Sequence, residues 1–346
     1  VSWEGELVAR VEAQMLAVIE RAERGGLLNG GGLPLYRVLG YHLGWVDAEL
    51  RPARADGGKR VRPLLCLLCC EAAGGEPLAA VPVAAAIELL HNFTLIHDDI
   101  QDRSRTRRHR PTVWALWGDA QAINAGDAMF ALSQLALLDL ADQLPPSRLV
   151  ALARVFNETT LRIVEGQVLD LGFEKRSSVD VGEYLIMIRG KTAALTAFAA
   201  WAGALVAAAE PARLEQFRRF GEALGLGFQL QDDYLGIWGR REETGKEPAD
   251  DIRRRKKSLP IVLLLETASP ADRLRLEELW SQPEVDEDAV AQVLELLERY
   301  RIRERVQTEV VRLHREARDL LETAAAPGRA RDALATLVGR LARRSI

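Results

Sequence analysis

Apolar residues recur along this chain at intervals of three and four, the spacing of one helical face, and no stretch alternates regularly enough to predict a strand. The pattern predicts a first helix that ends before the glycine-rich segment Gly25 to Gly32. Further helices are predicted at about 35–50, 60–73, 80–102, 112–141, 147–173, 180–208, 211–236, 257–268, 286–298, 299–323 and 328–344. The segments GGEP, PPS, ASPAD and APG punctuate them. With no internal repeat and no low-complexity linker, the expectation is an all-α protein with one domain over residues 1–346.

Two of these helices differ from the rest. VAAAIELLHNFTLIHDDIQD and EALGLGFQLQDDYLGIW are apolar almost all the way round, as interior helices are. Both then place adjacent aspartates near their C-terminal ends. Buried carboxylates are costly without a partner, and a helix C-terminus repels anions. A chain that does this twice implies an external cation. Asp98, Asp99 and Asp102 form DDxxD, and at about 100° per residue their carboxylates share one arc of the helix. Oxygen donors without Cys or His suit Mg²⁺; a solvated acidic helix end is the ordinary alternative. Asp232 and Asp233 form the second pair, with Gly236 where a third acid would complete the motif.

Charge and composition narrow the ligand. A formal net charge of -4 gives no basic field for nucleic acid, and 48% hydrophobic residues suffice for a large core. Cys66, Cys69 and Cys70 lie together in one apolar run, which reads as core side chains in a reducing compartment rather than a disulfide framework. The acidic, amphipathic N-terminal segment does not read as a signal peptide, and no uninterrupted apolar stretch is read as a membrane span; the expected location is the cytoplasm. Cations gather near the aspartates. GGKRVRP supplies Lys59, Arg60 and Arg62 at a helix start, DDIQDRSRTRRHRPT adds Arg107 and Arg108, Lys191 opens an Ala-rich run, and Lys246 and Lys256 follow the second pair. Helix starts and cationic side chains suit phosphate. Metal-binding acids, phosphate-binding cations and apolar walls together point to an isoprenoid diphosphate.

The residues GGKRxRP, H-x6-DDxxD-x-S-x2-RR, GKT and GFQLQDD, in this order from 57 to KKSLP at 256–260, resemble the trans-isoprenyl diphosphate synthases. The resemblance implies a helical bundle around a central apolar cavity, and a homodimer. It implies Mg²⁺, three ions with substrate bound, on Asp98 and Asp102 with Asp99 in support, and on Asp232 and Asp233. It implies that Arg107, Lys191, Lys246 and Lys256 grip the allylic diphosphate, and that Lys59, Arg62, His91 and Arg108 bind isopentenyl diphosphate. Thr192, Gln229 and Phe228 would line the allylic cation, while Gln167 and Asp170 match a segment near the metals. In such enzymes the allylic C–O bond ionises, isopentenyl diphosphate attacks, and released pyrophosphate takes the proton.

The chain departs from the family pattern at Gly236, at His109 and Ala249, where glycines are usual, and at Arg255, which replaces the glycine of a GK pair. Product length in this family is limited by bulk upstream of DDxxD. Phe93, five residues before Asp98, followed by the small Thr94 and no insertion, resembles geranylgeranyl diphosphate synthases. Farnesyl diphosphate is the alternative product; Phe93 is otherwise an ordinary core residue. The allylic partner is dimethylallyl, geranyl or farnesyl diphosphate. A class I terpene cyclase would not need Lys59, Arg62, His91 and Arg108, and a non-catalytic regulatory subunit would be expected to lose an aspartate motif.

Overall fold

The computed structural model of the chain describes residues 2–26, 34–240, 248–282 and 284–343. Helices dominate, as the periodicity predicts: α1 (Trp3–Gly25), α2 (Leu35–Leu43), α3 (Val61–Ala72), α4 (Val81–Gln101), α5 (Val113–Trp117), α6 (Asp119–Leu138), α7 (Pro146–Glu174), α8 (Val181–Ile188), α9 (Ala194–Val206), α10 (Pro211–Trp238), α11 (Asp250–Arg253), α12 (Leu259–Thr267), α13 (Pro270–Ser281), α14 (Glu287–Arg299), α15 (Ile302–Ala324) and α16 (Arg329–Arg343). The residues group into two compact units. The first comprises Val1–Phe156 and Ala199–Glu210, the second Asn157–Phe198 and Pro211–Ile346.

In the first unit, Ser2 caps α1 by accepting from the Gly5 N–H, and Leu7, Val11, Met15, Val18 and Ile19 form its buried stripe. α4 packs against α3 and α6 and is buried on nearly every side. The stretch Pro77–Gln101 is long and apolar enough to cross a membrane, but 67% of its most apolar window is buried inside the protein, where it serves as a core helix. The C-terminal part of α9 runs so close to α3 that a Cβ on Gly203 would lie 2.1 Å from the Cys66 carbonyl oxygen. Cys66, Cys69 and Cys70 are buried free thiols; burial pushes all three upward, Cys70 to about 12, so they stay protonated core residues.

Other differences from the sequence reading have local causes. The helix expected over 35–50 stops at Leu43, because Gly44 takes a left-handed φ of 85° and caps it. The helix expected over 112–141 breaks at Gly118 (φ 81°, ψ 165°). A hairpin absent from the periodicity joins β1 (Thr106–Arg107) to β2 (Arg110–Pro111). Its two central residues, Arg108 and His109, have φ of 51° and 60°, the geometry of a tight type I′ turn.

In the second unit α10 packs along α15, and the core continues through α8, α12 and α14. Asp180 and Glu183 close a reciprocal capping box at the start of α8. The segment ASPAD, read as a break, starts α13: Ser269 caps it, Pro270 opens its first turn, and Asp272 donates its N–H to Ser269 Oγ at 3.2 Å. The helix expected over 180–208 is continuous but widens into a π turn at Arg189–Ala193. His109, Ala249 and Arg255, three of the four departures from the family pattern, all lie at positive φ of 60°, 59° and 55°. A glycine takes that conformation without a steric penalty; a side chain there costs ~1–2 kcal/mol.

Candidate active site

The first aspartate cluster ends α4 in the first unit. Its three carboxylates are not equivalent. Asp98 is half-buried and Asp102 is exposed, whereas Asp99 is 2% exposed and turned inward. Arg107, on β1, donates through Nε to both Asp99 oxygens at 3.0 Å, with Nη2 2.9 Å from Oδ1. Burial pushes the Asp99 carboxyl upward and the Arg107 guanidinium offsets part of that rise. Asp99, expected in support of the metal ligands, thus anchors the hairpin that carries Arg107 and Arg108.

Beside it lies an excess of positive charge. Gly58, at φ 100°, leaves room for the Arg108 guanidinium, which would lie 2.4 Å from a Cβ at that position and donates to the Gly57 carbonyl. Arg62 Nη1 donates to His91 Nε2 at 3.1 Å, so His91 carries its own proton on Nδ1. Burial, then Arg62, Arg108 and Arg107, hold His91 well below the usual histidine range. His42 is lowered to about 3 by burial and then by Arg107, Arg108 and Arg60. Arg62 Nε and His42 Nε2 are buried with no hydrogen-bond partner among the described residues. Tyr41, His42, Asp99, Arg107, Arg108 and Arg110 line a cleft. Neutral histidines and partnerless donors among arginines form a field that an anion would relieve. Lys59 is exposed next to it. Arg60 differs: its side chain is buried in ion pairs with Glu88 (2.7 Å) and Glu12 (3.2 Å), so it braces α3 against α4 and α1.

Below the aspartates, the Phe93 ring meets His97 edge-on at 4.8 Å and tilts against Phe130 of α6 at 5.4 Å. Gly126 admits His97, whose Nε2 would lie 2.2 Å from a Cβ there. Thr94 returns its hydroxyl to the His91 carbonyl at 2.8 Å. Phe130 carries no motif and escaped the sequence reading.

The second cluster belongs to the second unit. Gly166 of α7 and Gly190 of the π turn allow the two backbones to touch; a Cβ on Gly166 would lie 2.2 Å from Lys191 N. The π turn presents Lys191 to Asp170, with which it pairs, and Thr192 to Gln229. Gln167 lies one helical turn before Asp170 on α7, and both are half-buried. A chain of hydrogen bonds follows. Thr192 Oγ1 donates to Gln229 Oε1 (2.7 Å), and Gln229 Nε2 donates to Asp233 Oδ1 (3.0 Å). Asp233 Oδ2 accepts from the Tyr184 hydroxyl and from Leu259 N–H (2.8 Å). Lys256 Nζ stands 3.7 Å from Asp233 Oδ1. Burial and the neighbouring Asp233 raise Tyr184 well above its ordinary value, so it remains a donor. Burial alone would lower Lys256, but Asp233, Asp251, Asp232 and Asp170 outweigh it and hold the amine cationic.

Asp233, expected to ligate metal, is 1% exposed and has both oxygens engaged within the protein, while Asp232 beside it is half-buried. Tyr184 was not legible as a site residue, since it stands in no charged motif; Leu259 stands in KKSLP, but it contributes a backbone N–H, which no side-chain pattern marks. Phe228 is half-buried next to Gln229; Lys246 lies outside the described residues. Among the described residues no three or more His, Cys, Asp or Glu converge as a ready-made metal cage. Mg²⁺ needs none, because it keeps several waters and takes one or two carboxylates plus substrate phosphates. The oxygen-only donors Asp98 and Asp102, one turn apart, fit that requirement in the first unit, and Asp232 fits it in the second.

Comparison with known proteins agrees with this chemistry. Residues 45–297 match the family model described as polyprenyl synthetase. A (2E,6E)-farnesyl diphosphate synthase of Mycobacterium bovis is 46% identical over 265 residues, covering 75% of this chain and 72% of that enzyme. A geranylgeranyl diphosphate synthase of Mycobacterium tuberculosis is 44% identical over 238 residues, covering 69% and 67%. The crystal structure of a polyprenyl synthetase from Streptomyces coelicolor A3(2) superposes with a TM-score of 0.83 at 36% identity, over 97% of this chain and 99% of that one. The chain belongs to the polyprenyl synthetase family. It is a prenyl-transferring enzyme, a short-chain prenyl diphosphate synthase.

Proposed function

We propose that the enzyme condenses isopentenyl diphosphate with dimethylallyl, geranyl or farnesyl diphosphate, releases pyrophosphate and makes geranylgeranyl diphosphate. The observation that carries the reading is the division of labour on α4: Asp99 is withdrawn to hold Arg107, and this leaves Asp98 and Asp102 outward beside a half-buried arginine field. Asp98, Asp102 and Asp232 are the proposed ligands of Mg²⁺, three ions with both substrates bound. Mg²⁺ supplies charge stabilisation of the departing diphosphate oxygens.

The protein's own groups do the rest. Arg107, Lys191, Lys246 and Lys256 hold the allylic diphosphate and take up the charge it gains as the C–O bond ionises. Arg62 and Arg108, with Lys59 and His91, hold isopentenyl diphosphate in the cationic field of the first unit. Neutral His91 aims Arg62 by accepting from it, and keeps its Nδ1 proton as a donor. Gln229, fixed by Asp233, keeps its amide oxygen toward Thr192; these two oxygens, with Phe228, face an electron-deficient allyl group. No side-chain base is needed if the released pyrophosphate takes the proton.

Phe93 and Phe130 are the proposed floor for the growing chain, and their mutual packing supports it. The 46% identity to a farnesyl synthase favours the shorter product as a second reading. Mass spectrometry of products from the three starters decides: C20 from each supports the proposal, and C15 from dimethylallyl and geranyl starters with no extension of farnesyl diphosphate supports the alternative. Phe93→Ala and Phe130→Ala are each expected to lengthen the product by at least one C5 unit; unchanged length in both removes them as the floor.

We also propose a single domain, since both α7 and α9 run unbroken through the borders of the contact units at 156/157 and 198/199. A cytoplasmic homodimer fits the free thiols and the apolar residues exposed on α6 (Ile123, Leu135, Leu138) and α7 (Leu161, Val164, Val168).

A further inference from the structure

The hairpin that carries Arg107 and Arg108 is tied to the loop between α2 and α3 by a side chain with no part in the reaction as read above. Arg110, on β2, donates through Nη1 to the Tyr41 carbonyl at 3.0 Å and through Nη2 to the Val46 carbonyl at 2.9 Å. Its guanidinium lies 4.0 Å from the centroid of the Tyr41 ring. The Tyr41 hydroxyl donates in return to the Pro111 carbonyl at 2.8 Å, and burial raises it above its ordinary value, so it keeps its proton. Trp117 meets the same ring edge-on at 5.1 Å. The loop is braced along its own length: Ala53 N–H donates to the Trp45 carbonyl and Ala55 N–H to the Gly44 carbonyl, both at 2.9 Å. It then runs directly into Gly57, Gly58 and Lys59. Arg108 meets it there, at the Gly57 carbonyl.

We propose that Arg110 is a positioning residue for isopentenyl diphosphate: by holding two carbonyls on either side of His42, it sets the spacing between the hairpin arginines and the segment Lys59 to Arg62. This rests on the reading of Lys59, Arg62 and Arg108 as the isopentenyl diphosphate site. Two features of the hairpin call for such a clamp. Its turn places Arg108 and His109 in left-handed backbone, at φ 51° and 60°, which a side-chain-bearing residue reaches only at a cost. Arg107, Arg108 and Arg110 also line one cleft, and like charges there repel. Arg107 is held separately by Asp99, whereas the hydrogen bond that holds Arg108 runs to a backbone carbonyl of the loop. Arg108 therefore depends on the clamp more than Arg107 does. A guanidinium suits the task, because one planar group reaches two carbonyls and still presents a face to the ring; a lysine reaches one carbonyl.

The test compares Arg110→Lys, His109→Gly and the double variant His109→Gly/Arg110→Lys with the unmodified protein, by kcat, Tm and KM for each substrate. Arg110→Lys is expected to raise KM for isopentenyl diphosphate about tenfold and KM for the allylic diphosphate by no more than about twofold, because Arg107 keeps Asp99. His109→Gly alone is expected to leave both KM values near those of the unmodified protein. The double variant is expected to recover much of the lost KM for isopentenyl diphosphate, because glycine takes the turn without a steric penalty and the hairpin then needs the clamp less. A merely structural arginine would lower Tm and shift both KM values together, and that result overturns the proposal. So does an unchanged KM for isopentenyl diphosphate in Arg110→Lys, or a double variant no better than Arg110→Lys. Arg62→Ala and Arg108→Ala variants with unaltered KM for isopentenyl diphosphate would instead defeat the underlying reading of the site.

Discussion

Asp98→Asn and Asp102→Asn are each expected to lower kcat by ~10²–10³, the range seen when one preorganised stabiliser of a developing negative charge is removed. Stability should change by no more than about 0.5 kcal/mol, because neither side chain is buried and the helix end they occupy already disfavours negative charge. Asp99→Asn is the contrasting control. Its carboxylate is buried against Arg107, so the amide leaves a guanidinium without its counter-charge and loosens the hairpin that carries Arg108. Stopped-flow kinetics with thermal melts separates the patterns. If Asp98→Asn and Asp102→Asn turned over normally, the outward carboxylates would have no part in the chemistry.

Asp233→Ala is expected to cost both the fold and the activity. Its carboxylate accepts from the buried Tyr184 hydroxyl, from Leu259 N–H and from Gln229, and it faces Lys256. Removing it strands the first two donors away from water and withdraws the nearest counter-charge from Lys256. Breaking such a buried ionic network costs ~3–5 kcal/mol, a large share of a typical domain's net stability. Chemical denaturation should show that loss. Activity should fall even where the variant folds, because Gln229 loses the partner that fixes its amide. A melt within about 1 kcal/mol of the unmodified protein would contradict the assigned role. Tyr184→Phe, which strands no donor, should cost far less.

The sequence disclosed the helices, the interior character of α4 and α10 and the position of both aspartate pairs, because periodicity and the misplacement of charge are local signals. The resemblance ranked Asp99 behind Asp98 and Asp102, but nothing in the sequence showed that Asp99 and Asp233 turn inward. Adjacent residues on a helix point about 100° apart, and which of two neighbours turns inward depends on the hairpin that folds Arg107 back onto Asp99 and on Tyr184, which is remote and unmarked in the chain. Phe130 and Leu259 were invisible for the same reason: an aromatic on an Ala-rich helix and a backbone N–H carry no pattern. The departures at His109, Ala249 and Arg255 could be read as differences, but only backbone angles show that they share one cause, a left-handed conformation. At Ser269 the sequence reading errs, because Ser-Pro punctuates a chain and also begins helices.

The most direct test follows radiolabelled isopentenyl diphosphate into prenyl product, with saturating allylic diphosphate, before chelation of divalent metal, during it and after Mg²⁺ is restored. Incorporation should fall to background under the chelator and return with Mg²⁺. Undiminished incorporation with all divalent ions sequestered would contradict the assignment of the outward aspartates to metal-held diphosphate.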